Sequence, residues 1–303
     1  MPVTRVESLI YGVEDVAAGT QYFEEWGLTC REKGAKGAEF TLPTGQSVQI
    51  RAASDASLPK AIEGGSTVRE TVWGVDNRAA LDQLGAELGR DREVRRDSDG
   101  SLHTVDDIGL PIAFRVAAPG ADPGLRQHRG VNQTVPIRDR VSPMRLGHVV
   151  YFCPKADVKK ASAFYTDRLK FRVTDRALDL GDFMRCPGSP WHHNIFFLTV
   201  LPKTGWNHAA FDVEDVNDVV AGGHRMLSKG YKPYSSLGRH IMGSNVFWYF
   251  HSVCGGQTEY SADMDMMDDG WQTRVWERNP GADMWQFTKD DIVPPRYPQP
   301  PRT

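Results

Sequence analysis

Two histidines and one glutamate, His148, His208 and Glu259, have the types and setting to hold a metal ion. His148 stands in Leu146-Gly147-His148-Val149-Val150-Tyr151, His208 opens His208-Ala209-Ala210-Phe211-Asp212-Val213, and Glu259 falls in Gly255-Gly256-Gln257-Thr258-Glu259-Tyr260. These short runs, punctuated by glycine, read as strands. Two neutral imidazoles and a carboxylate on rigid strands would leave three adjacent positions of an octahedral ion open, which suits nonheme Fe(II) and O2. The same ligand set does not fix the ion, so Mn(II) is the alternative. The chain has nine histidines, and a lone histidine is more often structural than a ligand. Position therefore has to discriminate.

Position comes from an internal repeat. Val6-Glu7-Ser8-Leu9-Ile10-Tyr11, then Val16 and Tyr22-Phe23, parallels Leu146 to Tyr151, then Val158 and Phe164-Tyr165. Each reads as a strand followed by a helix, with Asp15 and Asp157 placed as N-caps. Glu70-Thr71-Val72-Trp73-Gly74-Val75 before AALDQLGAELG stands in the same relation to His208–Val213 before DVVAGGHRMLSKG. Runs such as Glu39–Leu42, Ser47–Ile50, Ile195–Leu198 and Val246–Tyr249 supply the remaining strands.

The predicted architecture is α+β, with two domains, each of two βαβββ modules forming a partly open barrel around a cavity. The first domain spans 1–116, a Pro/Gly-bearing linker 117–143, the second domain 144–287, and a Pro-rich tail 288–303. By the register of the repeat, His148 corresponds to Ser8, His208 to Glu70, and Glu259 to Ala113 or Phe114. The first half lacks the three ligands. Residues needed only to build the module would be wanted in both halves, so their confinement to the second favours function.

Composition narrows the partners. A net charge of −3 without a long basic run argues against nucleic acid or a membrane surface. The four cysteines, Cys30, Cys153, Cys186 and Cys254, lie far apart with no CxxC pair, which fits a reducing cytoplasm. MPVTRVESLIYGV has no long apolar core, and no stretch approaches the roughly 20 apolar residues of a membrane helix. The expectation is a soluble, unexported protein that binds a small molecule.

At this point the second half resembles the type I extradiol ring-cleavage dioxygenases of the vicinal oxygen chelate superfamily. The resemblance rests on Leu146-Gly147-His148, Trp191-His192-His193-Asn194, Trp206-Asn207-His208, and Gly238-Arg239-His240 running through Tyr249 to Glu259. A histidine nine residues before a tyrosine that lies ten before a carboxylate is its most specific part. It implies a metal triad of His148, His208 and Glu259, with His193, His240 and Tyr249 around the substrate. It also implies a catechol-type aromatic diol and O2 as substrates, and a homo-oligomer. Two departures stand out: Ser252-Val253-Cys254-Gly255 replaces the usual turn after the tyrosine, and Gly243 replaces an acid that many members carry three residues after the histidine.

Within that reading His193 is the expected general base and later proton donor. If His193–Phe197 is a strand, adjacent side chains face opposite ways and only one of His192 and His193 points into the cavity; the family register selects His193. His240 and Tyr249 would donate hydrogen bonds to the diol oxygens. Trp248 and Phe250 read as packing, and His103, His128, His224 and His251 receive no role. The acidic run Asp263–Gly270 fails the calcium-loop pattern and reads as a solvated turn. The competing readings are a superfamily isomerase or transferase, a 2-oxo-acid dioxygenase, and a metal-free binding protein.

Overall fold

A computed structural model describes residues 3–120 and 140–287. Most of the expected linker and the whole Pro-rich tail lie outside the described residues. The first half runs β1 (Val3–Val13), α1 (Val16–Trp26), β2 (Thr29–Gly34), β3 (Gly37–Thr41), β4 (Ser47–Ala52), β5 (Thr67–Val75), α2 (Arg78–Leu88), β6 (Arg95–Arg96), β7 (Leu102–Val105) and β8 (Pro111–Val116). The second runs β9 (Arg145–Phe152), α3 (Val158–Ala163), β10 (Arg172–Ala177), β11 (Gly181–Arg185), β12 (Ile195–Leu198), β13 (Gly205–Asp212), α4 (Val216–Ser228), β14 (Gly238–His240), β15 (Val246–His251) and β16 (Gln257–Ala262). The four βαβββ modules are present, two to each sheet. Two further short strands, β17 (Arg274–Trp276) and β18 (Asp283–Gln286), follow the fourth module.

The strand orders of the two sheets correspond one to one, β2-β3-β4-β1-β5-β8-β7-β6 against β10-β11-β12-β9-β13-β16-β15-β14. β17 and β18 are added at opposite ends of the second sheet, β17 parallel to β10 and β18 antiparallel to β14. Residues 263–286 thus form a strap that ties both edges of an otherwise open half-barrel. The strap is also sewn to the rim by backbone bonds: Asp265 N–H donates to Gly243 O, His192 N–H to Asp265 O, and Met267 N–H to Pro190 O. Met264 and Met267 are buried. The acidic run is therefore a packed strap rather than a solvated turn: Met264 and Met267 turn inward, while Asp263, Met266, Asp268 and Asp269 are exposed.

Helix placement follows local chemistry. Asp15 caps α1 by accepting from the Ala18 N–H at 2.9 Å. α1 buries Gly19, Tyr22, Phe23 and Trp26, one stripe at helical spacing. Asp157 does not cap α3: its backbone is already helical, it makes no side-chain cap bond, and its N–H closes a turn onto Pro154 O. α3 is short and runs on into one wide π-type turn, Phe164–Arg168.

One hydrophobic core runs through both sheets. Trp26 of α1 stacks on Tyr260 of β16 with centroids 3.7 Å apart, and Tyr260 Oη donates to Trp26 O at 2.7 Å. The Thr71 and Tyr151 hydroxyls bond across the halves at 2.6 Å, and Gln46 Nε2 donates to Leu146 O at 2.7 Å. The first half therefore buttresses the back of strands β9, β13 and β16, whose other face lines the cavity. Strand alternation divides these roles: His148 and Val150 face the cavity while Val149 and Tyr151 enter the core.

Candidate metal centre

The ladder registers bring the three predicted ligands together. His148 on β9 lies opposite Ala210 of β13, Ala210 pairs with Glu259 of β16, and His208 is two residues before Ala210 on the same strand. A bulge between Trp206 and His208 lies where β13 meets the cavity. Glu259 Oε2 is 3.2 Å from His148 Nε2 and 3.2 Å from His208 Nε2, and the two Nε2 atoms are 3.3 Å apart. Cis donors around an ion with bonds of about 2.1 Å stand about 3 Å apart, so the triangle has the size of one octahedral face.

The donors fit a cation by their chemistry as well. Glu259 is wholly buried, and its Oε2 has no hydrogen-bond partner among the described residues. Its other oxygen accepts from Asn245 Nδ2 at 2.8 Å, which leaves Oε2 turned toward the histidines. His208 Nδ1 is 2.6 Å from Asn207 Oδ1, so Nδ1 carries the hydrogen and Nε2 the lone pair. Burial pushes the His208 imidazole down to about 4, against the pull of Glu259, so it is neutral at pH 7. Burial acts upward on Glu259, but the two imidazoles outweigh it and hold the carboxyl well below its usual range. An ionised carboxylate and two imidazole nitrogens, all desolvated, form a site a divalent ion would stabilise.

The cavity beside the triangle measures 220 Å³. Leu180, Phe183, Phe196, Leu198 and Met242 make its apolar wall, and His193, His240 and Tyr249 face into it. His193 packs against His148 with ring centroids 4.1 Å apart. Burial, then the surrounding imidazoles, push its pKa well below the ordinary value. Tyr249 lies across from Glu259 on β15, and burial, reinforced by that carboxylate, raises its phenol well above its usual range. It is a neutral hydroxyl at pH 7. His240 Nε2 is 2.9 Å from Tyr249 Oη, and His240 Nδ1 is 2.9 Å from Asp283 Oδ1 of β18.

Several features were not visible in the sequence. The strand containing Ile195 starts after His192 and His193, so strand alternation does not govern that pair. His193 nevertheless lines the cavity, while His192 lies behind it with no exposed surface. Gly243 has φ +88° and sits against His192, and the carboxylate that meets His240 comes from Asp283 on the strap. Asn245 had no sequence signal, since a single buried asparagine reads like any turn residue. Trp248 fits where it does because Gly223 of α4 offers no Cβ, and a Cβ there would clash with its ring. His224 and His251 are exposed, His103 pairs with Glu70 in the first half, and His128 lies outside the described residues.

Residues 145–255 match the family model described as the Glyoxalase/Bleomycin resistance protein/Dioxygenase superfamily. Among individual proteins, the chain is 42% identical over 177 residues to metapyrocatechase 2 of Cupriavidus necator, covering 57% of this chain and 53% of that protein. It is 31% identical over 150 residues to biphenyl-2,3-diol 1,2-dioxygenase of Paraburkholderia xenovorans, covering 46% and 47%. The chain thus spans about half the length of the relatives it matches. The crystal structure of an Mn(II)-bound glyoxalase from Novosphingobium aromaticivorans is similar over 99% of this chain and 96% of its own, at 25% identity and a TM-score of 0.75.

Proposed function

We propose that the chain is an extradiol dioxygenase, opening the ring of a catechol-type aromatic diol with O2 at an Fe(II) ion held by His148, His208 and Glu259. The observation that carries this reading is the convergence of those three donors beside a cavity that also presents His193, His240 and Tyr249. The relatives named for metapyrocatechase and biphenyl-2,3-diol cleavage support it. When bound, the ion supplies a cationic centre that favours the ionised diol and carries electrons between diol and O2.

The chain's own groups divide the remaining work. The apolar wall excludes water and takes the faces of the aromatic ring. Tyr249 and His240 hydrogen-bond the diol oxygens and hold the ring in one orientation. His193, a neutral imidazole without a ligand role, accepts a diol proton at one ring nitrogen and returns it later to an oxygen of the reacting group.

Mn(II), the ion in the Novosphingobium structure, is the alternative metal. That same likeness favours one competing reading, Lewis-acid isomerisation or transfer on a small oxygen chelate. The two separate on O2. Anaerobically iron-loaded protein, mixed with substituted catechols and then air, should give a yellow ring-opened product with matching O2 uptake. Absence of both across the panel would contradict the dioxygenase reading. Among the described residues no helix is long and apolar enough to cross a membrane, and the four cysteines are free. Free thiols fit a reducing cytoplasm; a homo-oligomer is the assembly we propose, to be read by light scattering.

A further inference from the structure

We propose that Asp175 and His192, clamped by Arg274 and Trp276 of the C-terminal strap, are positioning residues that fix the orientation and tautomer of His193. The proposal rests on the dioxygenase reading for its kinetic consequence alone. Its structural content stands on four side chains that the proposed reaction does not otherwise use.

Asp175 on β10 has no exposed surface. Its Oδ1 accepts from Arg274 Nε at 2.7 Å and Trp276 Nε1 at 3.2 Å, and its Oδ2 meets His192 Nε2 at 2.9 Å and Arg274 Nη2 at 2.5 Å. Burial acts to raise this carboxyl, but His192 and Arg274 overcome it and hold it below its usual range. An ionised carboxylate only accepts, so His192 carries its hydrogen on Nε2. Arg274 already neutralises Asp175. In the tautomer that carries its hydrogen on Nε2, His192 presents Nδ1 as a lone pair.

That lone pair lies 3.0 Å from His193 Nδ1. The contact is a hydrogen bond only if His193 carries its hydrogen on Nδ1. Its Nε2 is then a lone pair, on a ring that lines the cavity. The chain thus sets the proton-accepting nitrogen of His193 through three successive contacts, by way of a carboxylate pinned by a strand outside the four modules. The strap's backbone adds to this, because Asp265 O holds the His192 N–H at 3.0 Å.

The test uses the full chain with ¹⁵N-labelled histidine, prepared metal-free, together with steady-state kinetics of the iron-loaded protein. The ring ¹⁵N spectra should show His192 as the Nε2–H tautomer and His193 as Nδ1–H. His192→Phe should lose the His193 Nδ1–H signature and lower kcat about 10- to 100-fold, a part of the roughly 10²–10⁴ that general acid–base catalysis supplies. KM and iron content should hold. His192→Gln, whose amide oxygen can accept from Nδ1–H, should recover most of both. Arg274→Met tests the clamp, with a smaller loss of kcat expected. A wild-type spectrum with His193 as Nε2–H, or His192→Phe with wild-type kcat, would overturn the proposal. If no catechol is cleaved by any form, the dioxygenase reading fails, and the tautomers still decide this one.

Discussion

The two halves of the molecule share strand order and pairing register and differ at three matched points. Ser8 faces Val72, which pairs with Ala113; His148 faces Ala210, which pairs with Glu259. Ile10 pairs with Glu70 as Val150 pairs with His208. In the first half the polar residues at these points have partners elsewhere in that half: Ser8 bonds Ser47 at 2.8 Å, and Glu70 meets His103 at 2.9 Å. In the second half two imidazole nitrogens and a carboxylate oxygen with no other partner converge within 3.3 Å of one another. The same scaffold is therefore self-contained in one copy and incomplete in the other, which places the need for an ion in the side chains and not in the fold.

Substitutions at matched positions break this comparison most sharply. His148→Ala or Glu259→Ala should abolish iron retention and ring cleavage together, read by metal analysis and O2 uptake. Glu70→Ala, at the matched point of the first half, should leave iron content unchanged and cost only stability, about 1–3 kcal/mol for the stranded His103 partner. Equal iron loss from both halves would dissolve the distinction. Next in size, His193→Phe should keep its iron and lose about 10²–10⁴ in kcat; full turnover in that variant would remove the acid–base role.

Asn245→Ala sharpens the contrast further. Without its amide, Glu259 Oε1 loses its 2.8 Å donor, and iron affinity should fall about 10- to 100-fold, as for other groups that orient a ligand. Competition with a chelator measures it. The smallest effect lies in the first half, where burial pushes Asp106 up to about 7. A folded carboxyl with a raised pKa binds its proton more tightly than the unfolded one. Its contribution is present below about pH 4 and is lost as pH rises to 7. Asp106→Asn should flatten that fall in melting temperature; an unchanged slope would show that the fall arises elsewhere.

The modules and the triangle of donors were legible because both follow from period-two alternation and a repeat, signals that survive in a single sequence. The register of Ser8, Glu70 and Ala113 could be read for the same reason. What stayed hidden was tertiary. β17 and β18 have three and four residues, too short to show alternation, and their partners β10 and β14 are 99 and 46 residues away at Asp175–Arg274 and Arg239–Trp285. The role of His192 was hidden because it depends on Asp175, which on its strand reads as an ordinary solvated acid. Asn245 and Asp283 act through single contacts made by folding.

The most direct test of the central claim is anomalous diffraction at the iron edge from crystals of the chain loaded anaerobically with Fe(II). The account predicts one peak per chain, about 2.1–2.3 Å from His148 Nε2, His208 Nε2 and Glu259 Oε2, and none near Ser8, Glu70 and His103. A loaded, folded protein with no peak inside that triangle, or with iron among the first-half residues instead, would contradict it.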